Sequence, residues 1–166
     1  MSLAPLTVSD ATAIIARRCA GWCVESIEFL GEGDFCAGFL VNRDWVFRFA
    51  KHEKAAASLN REARLLPQIA RQFDVMIPSP EFGGFEDTPA FIAYRALPGL
   101  ALTQDRYLQL SESDRDRCAF QVGVFLRQMH ATDLKLARSS GLEHADYAAH
   151  FDGLSKQVAQ ALWSKL

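Results

Sequence analysis

Gly31 and Gly33 bracket Glu32 between two apolar runs. A backbone without Cβ atoms there can fold close over a ligand and aim its N–H groups at an anion. A plain hairpin turn uses the same two glycines. Arg48 stands inside the run Val46-Phe47-Arg48-Phe49, where a charge is costly unless it meets a partner, an anion, or water at a sheet edge. Glu62 immediately precedes Ala63, a stripe position of a helical segment, so it is placed to face the strand that carries Arg48. Taken alone, Glu62 reads as an ordinary exposed helix carboxylate. In chain order the three form a constellation of glycine hairpin, basic strand residue and helix glutamate. The four cysteines, Cys19, Cys23, Cys36 and Cys118, match neither a disulfide framework nor paired C-x-x-C units. They are expected to be small buried apolar residues, with Cys19 and Cys23 able to share a helix face, and no metal is assigned.

Periodicity defines the elements that must position these residues. Thr7 or Ser9 caps a helix expected over 8–19, with Ile14 and Ile15 on its buried side. Residues 24–30 have the β-branched and aromatic content of a strand and run into Gly31-Glu32-Gly33-Asp34. Strands over 35–41 and 45–49 are joined by the polar turn Asn42-Arg43-Asp44, a hairpin pattern. A long helix is expected over 54–73, where Leu59, Ala63, Leu66, Ile69 and Phe73 keep close to a 3.6-residue period, with a kink at Pro67. Ile77-Pro78-Ser79-Pro80 is extended, because each proline pushes its predecessor away from helical geometry. Two further strands are expected over 81–85 and 91–97, the second stopped by Pro98-Gly99. Ser111-Glu112-Ser113-Asp114 resembles a capping box opening a helix with Cys118, Val122, Phe125, Leu126 and Met129 at helical spacing. A last helix is expected over 146–165. This order argues an α+β fold with a mostly antiparallel five-stranded sheet, one long helix, and a boundary near residue 98.

Composition narrows the partners. Hydrophobic residues make up 49% of 166 residues and include 12 Phe, enough for one sizeable core. Lys plus Arg number 18 against 20 Asp plus Glu, interspersed along the chain, so nucleic acid is not an expected partner. No uncharged run exceeds nine residues, as in 96–104, whereas a membrane helix needs about 20 apolar residues. Asp10, Arg17 and Arg18 interrupt the start of the chain, which does not read as a signal peptide. A cytoplasmic protein without membrane contact is expected.

The constellation resembles the N-terminal lobe of kinase-like small-molecule phosphotransferases, specifically the aminoglycoside phosphotransferase family. The resemblance rests on Leu30-Gly31-Glu32-Gly33, Trp45-Val46-Phe47-Arg48-Phe49-Ala50-Lys51, Arg61-Glu62-Ala63-Arg64-Leu65-Leu66, Ile77-Pro78-Ser79-Pro80, Tyr94-Arg95-Ala96-Leu97-Pro98-Gly99 and Phe125-Leu126-Arg127-Gln128-Met129-His130, spread over about residues 24–133. It implies a nucleotide-binding lobe over 1–98 and the first helices of a truncated C-terminal lobe over 99–166. Gly31 and Gly33 would cover the phosphates of ATP or GTP. Arg48 would take the place of the strand lysine, oriented by Glu62, although a planar guanidinium contacts phosphate differently from a point charge. The Arg95 carbonyl and the Leu97 N–H would meet the base edge, Tyr94 would guard the back of the pocket, and Leu30 and Val46 would roof the base. His130 would be structural.

The family's phosphoryl transfer uses a catalytic-loop Asp in H-x-D-x-x-x-x-N and a later Asp that holds Mg²⁺. His144-Ala145-Asp146 copies the first three letters, but Phe151 stands at the Asn position, so this stretch reads as a helix start. The resemblance therefore implies no catalytic residue and no metal ligand within the chain, with the catalytic Asp expected beyond Leu166 and Mg²⁺ bound only with it. The expectation is the nucleotide-binding part of a phosphotransferase acting on a hydroxyl of a small molecule such as an aminoglycoside, the 166 residues alone being inactive. Self-association is expected through apolar surface such as Phe120, Val124 or Leu162. Two alternatives remain at this point. One is a non-catalytic nucleotide-sensing or protein-binding module of the same fold. The other is an interaction domain with no nucleotide site, in which Arg48 faces solvent rather than Glu62.

Overall fold

The computed structural model describes residues 5–142. In chain order these form α1 (Val8–Arg18), β1 (Ile27–Glu32), β2 (Cys36–Val41), β3 (Trp45–Ala50), α2 (Glu53–Ile69), β4 (Phe82–Gly84), β5 (Phe91–Arg95), α3 (Gln104–Gln109), α4 (Glu112–His130) and α5 (Leu134–Ser139). The strands make one antiparallel sheet in the order β1-β2-β3-β5-β4, so the α+β class and the five-stranded sheet are as expected.

Strand alternation sorts the residues onto two faces. Ala37, Phe39 and Val41 of β2, Trp45, Phe47 and Phe49 of β3, and Phe91 and Ala93 of β5 form one buried cluster with Ala11, Ile14 and Ile15 of α1. Phe39, Phe47 and Phe49 are fully buried, each worth roughly 1.5–3 kcal/mol relative to exposure. The intervening residues point the other way. Ala50, Ala90 and Ile92 meet Ala55 and Leu59 of α2, with Ala63 and Tyr94 packed beside them. That second face leaves Cys36, Gly38, Val46 and Arg48 around an opening at the β1–β2 hairpin.

Local chemistry explains most boundaries. Thr7 caps α1 through a reciprocal box with Asp10, whose N–H donates to Thr7 Oγ1 at 3.1 Å. Asn42 and Arg43 both have positive φ, the backbone a tight primed turn between β2 and β3 requires. Ser111 caps α4 by accepting from the Asp114 N–H at 3.1 Å, as its sequence implies. Helix α2 starts at Glu53, capped by His52 Nδ1, continues through Pro67 to Ile69, and ends in one 3₁₀ turn over Ala70–Gln72.

Three expectations need correction. β1 begins at Ile27 rather than residue 24, because Asn42 Oδ1 accepts from the N–H groups of Glu25 and Ser26 while its Nδ2 donates to the Cys23 carbonyl. That side chain takes the backbone groups a ladder would use. The cysteines are not a buried set: Cys23 is exposed, Cys19, Cys36 and Cys118 are half-buried, and all four are free. Since α1 ends at Arg18, Cys19 and Cys23 share no helix face. The short helices α3 and α5 were not foreseen; Thr103 and Asp133 cap them by accepting from the N–H groups of Arg106 and Lys135. The helix expected over 146–165, with His144-Ala145-Asp146 and Leu162, lies outside the described residues.

Candidate functional site

A cavity of about 650 Å³ opens between the β1–β2 hairpin and the α2-facing side of the sheet, lined by Leu30, Gly31, Gly33, Cys36, Val46, Arg48 and Tyr94 among others. The β1–β2 register slips between Phe29↔Phe39 and Gly31↔Gly38, a bulge at Leu30. Gly31 has φ +130°, a conformation that L side chains rarely adopt, which accounts for glycine there. Gly33 takes the hairpin-turn role of the two its sequence allows. Its N–H donates to the Cys36 carbonyl at 3.0 Å to close the hairpin, so in this conformation that amide does not face the cavity as an anion donor.

Arg48 points from the middle of β3 toward α2. Its Nη1 donates to Glu62 Oε2 at 2.6 Å and its Nη2 to Cys36 Sγ at 3.9 Å. In register, Gly38 of β2 and Ile92 of β5 flank Arg48, while Tyr94 pairs with Val46 and shares the cavity-facing side. Burial alone would pull the Arg48 guanidinium down, but Glu62 and Cys36 outweigh it and the group ends above its ordinary value. Burial pushes both the Tyr94 phenol and the Cys36 thiol up, against the opposing pull of Arg48. The result is a cationic group, paired with Glu62, at one end of a partly apolar cavity whose hairpin edge carries Glu32 and Asp34.

Of the residues singled out from sequence, Gly31, Gly33, Arg48, Glu62 and Tyr94 therefore come together, and Leu30 and Val46 line the same opening. Arg95 and Leu97 follow Tyr94 along the chain and are not among the lining residues. The Arg95 side chain stacks its guanidinium over Trp45, 4.1 Å from the ring centroid, and pairs with Asp44. The Leu97 N–H donates to no backbone carbonyl among the described residues. His130 ends α4, exposed.

Two residues of the site were not assigned roles from sequence. Cys36 lines the cavity because it shares Arg48's face of the sheet, which strand parity alone indicates. Lys51, just beyond β3, reaches back to the hairpin: its Nζ lies 3.1 Å from Glu32 Oε2 and donates to the Gly33 carbonyl at 3.2 Å. Its signal is a basic residue following a strand opposite an acidic hairpin.

The model of the phosphotransferase enzyme family matches residues 38–165, and the chain belongs to that family. Its fold is similar to that of the GDP and kanamycin complex of APH(2")-IIia, at a TM-score of 0.84 and 31% identity over 94% of this chain and 53% of that one. The streptomycin-ATP-APH(2")-IIa ternary complex has the same fold at a TM-score of 0.62 and 20% identity, covering 83% of this chain and 44% of that one. So does macrolide 2'-phosphotransferase MphH from Brachybacterium faecium, at a TM-score of 0.61 and 23% identity, covering 84% and 48%. The chain spans about half the length of these solved relatives. The kinase-like, aminoglycoside-phosphotransferase-like fold expected from the motifs is the fold observed. Among the described residues, no helix is long and apolar enough to cross a membrane.

Proposed function

We propose that this chain is the nucleotide-binding part of an ATP- or GTP-dependent phosphotransferase whose acceptor is a hydroxyl of a small molecule such as an aminoglycoside. The observation that carries the reading is the Arg48–Glu62 pair at 2.6 Å, set at the end of a glycine-edged cavity in a chain of this family. Arg48, oriented by Glu62, contacts the nucleotide phosphates; Gly31 and Gly33 form the hairpin above them. Leu30 and Val46 cover the base, whose edge meets the Arg95 carbonyl and the Leu97 N–H. Tyr94, bulky at the back, makes GTP an alternative to ATP. Residues 1–98 are the nucleotide lobe and 99–166 the start of a helical lobe that receives the acceptor. Among the described residues no group of three or more His, Cys, Asp or Glu is placed to hold a metal ion.

Calorimetric titration of the 166-residue chain with GTP and ATP tests the reading. The expected result is weak binding of at least one nucleotide, lost in Arg48→Ala. Absence of binding at millimolar concentration, or binding indifferent to Arg48→Ala, overturns the phosphate-site assignment. Measurable phosphoryl transfer by the chain overturns the claim that it is inactive alone.

A further inference from the structure

β3 and the two residues after it tie down both walls of the cavity. Arg48 anchors one wall, through Glu62 of α2. Three residues on, Lys51 anchors the other, and it does so four ways with its neighbour. The Lys51 N–H donates to the Phe35 carbonyl at 2.9 Å. Its ammonium group donates to the Gly33 carbonyl at 3.2 Å and pairs with Glu32 Oε2 at 3.1 Å. The ring of His52 packs edge-on against Phe35, with centroids 5.4 Å apart. The hydrogen-bond and ion-pair partners of Lys51 among the described residues all lie within 32–35, the turn that overhangs the cavity.

The contacts have a clear division of labour. Beyond the hydrogen bond from the Gly33 N–H to the Cys36 carbonyl, the hairpin tip has few side-chain contacts of its own: a Cβ on Gly33 would meet nothing within 4 Å, and Phe35 is exposed. Glycine also gives the open state more conformational freedom to lose. A charged donor that bridges one backbone carbonyl and one carboxylate on adjacent residues restricts that tip more than a neutral contact does. The Lys51 and Glu32 side chains are 25% and 38% exposed, so the link is neither fully solvated nor sealed away from an entering anion.

We propose that Lys51 is a positioning residue for the phosphate site: paired with Glu32 and the Gly33 carbonyl, it holds the glycine hairpin over the cavity at a fixed distance from Arg48. The proposal rests on the nucleotide reading above. Lys51 acts through the hairpin and Glu32 is its partner, rather than a competitor that keeps a free phosphate-binding lysine occupied. These two arrangements differ in sign when Glu32 is neutralised.

The test combines amide hydrogen exchange of the nucleotide-free chain with titrations of GTP and ATP, using guanosine and adenosine as phosphate-free controls, in Lys51→Met, Glu32→Gln and their double variant. Faster exchange confined to peptides spanning 32–36 in both single variants is expected, with α2 and β3 unchanged. Each variant is expected to weaken triphosphate binding by roughly five- to twentyfold while leaving nucleoside binding alone. The double variant should lose no more than the worse single one, and Lys51→Arg should restore most of the affinity. Tighter triphosphate binding in Glu32→Gln overturns the proposal, because it makes Lys51 a phosphate ligand released from its carboxylate. Unchanged exchange over 32–36 in Lys51→Met overturns it as well. If the unaltered chain binds no nucleotide, the nucleotide reading fails, while the exchange measurement still decides whether Lys51 holds the hairpin.

Discussion

Arg48 Nη1 and Glu62 Oε2 stand 2.6 Å apart, joining the middle of β3 to the middle of α2 across a face of the sheet that is open on one side. Both side chains are about 30% exposed, so water screens part of the pair, and breaking it strands a half-buried charge rather than a dry one. Arg48→Ala or Glu62→Ala alone is expected to cost about 1–2 kcal/mol in urea unfolding. The double variant should cost less than the sum, by about 1 kcal/mol, because neither charge is then left alone. Strict additivity would mean that the two residues do not support each other.

That pair was legible because strand parity and a helical stripe each restrict direction. Val46-Phe47-Arg48-Phe49 alternates, so Arg48 must point to the face opposite Phe47 and Phe49, and a helix packed on that opposite face presents Glu62 beside Ala63. The antiparallel five-stranded sheet followed from the same alternation, whereas the strand order β1-β2-β3-β5-β4 is seen only in the structure. The start of β1 was not legible, since it depends on which backbone groups Asn42 captures from 16 and 17 residues away. Of the two uses open to Gly33, the structure shows the hairpin turn. Its type permits an anion-facing amide, but the turn it closes uses that amide internally. The short helices α3 and α5 carry six residues each, too few for a period to register.

Alkaline pH should weaken the fold at this same face. Burial raises the Cys36 thiol and the Tyr94 phenol above their ordinary values of 9.0 and 10.0, so the folded chain holds both neutral after the unfolded chain has begun to release its protons. Their contribution is complete below about pH 9 and is lost as pH rises through the raised folded values. The urea midpoint is expected to fall from pH 8 to pH 10.5, with Cys36→Ser removing the lower part of the decline and Tyr94→Phe the upper. A midpoint that rises over that range, or identical profiles in both variants, would contradict the burial of these groups.

The hairpin of β4 and β5 should be intolerant of a single methyl group. A Cβ on Gly84 would stand 2.6 Å from Arg18 Nη2 and 2.6 Å from Phe91 Cε1. Neither neighbour gives way easily: the Arg18 side chain is 9% exposed and donates to the Pro89 carbonyl at 2.6 Å, and Phe91 is part of the core. Gly84→Ala is therefore expected to destabilise the chain by about 1–3 kcal/mol through overpacking. Gly33→Ala, with open space around it, should fall within about 0.5 kcal/mol of the parent. Adding Arg18→Met to Gly84→Ala should recover only part of the loss, because the Phe91 ring remains.

Helix α4 should govern association of the isolated chain. One side of it is engaged: Phe125 packs against Phe73 with centroids 5.1 Å apart, and Gln128 Oε1 accepts the Asp74 N–H at 3.2 Å. Val122, Leu126 and Met129 recur at helical spacing on another side, and with Phe120 they are exposed, Phe120 by 72% and Val122 by 57%. None of the residues of α4 is buried, which is unusual for a 19-residue helix that carries so many apolar side chains. A second copy of the chain can cover that stripe with its own, so light scattering should show an apparent mass that climbs with concentration. Val122→Lys and Leu126→Lys together should hold the mass at 18.5 kDa without lowering the thermal midpoint, since they remove no buried contact. A monomeric parent at every concentration would remove the association claim. A large fall in midpoint would show instead that the stripe packs within its own chain.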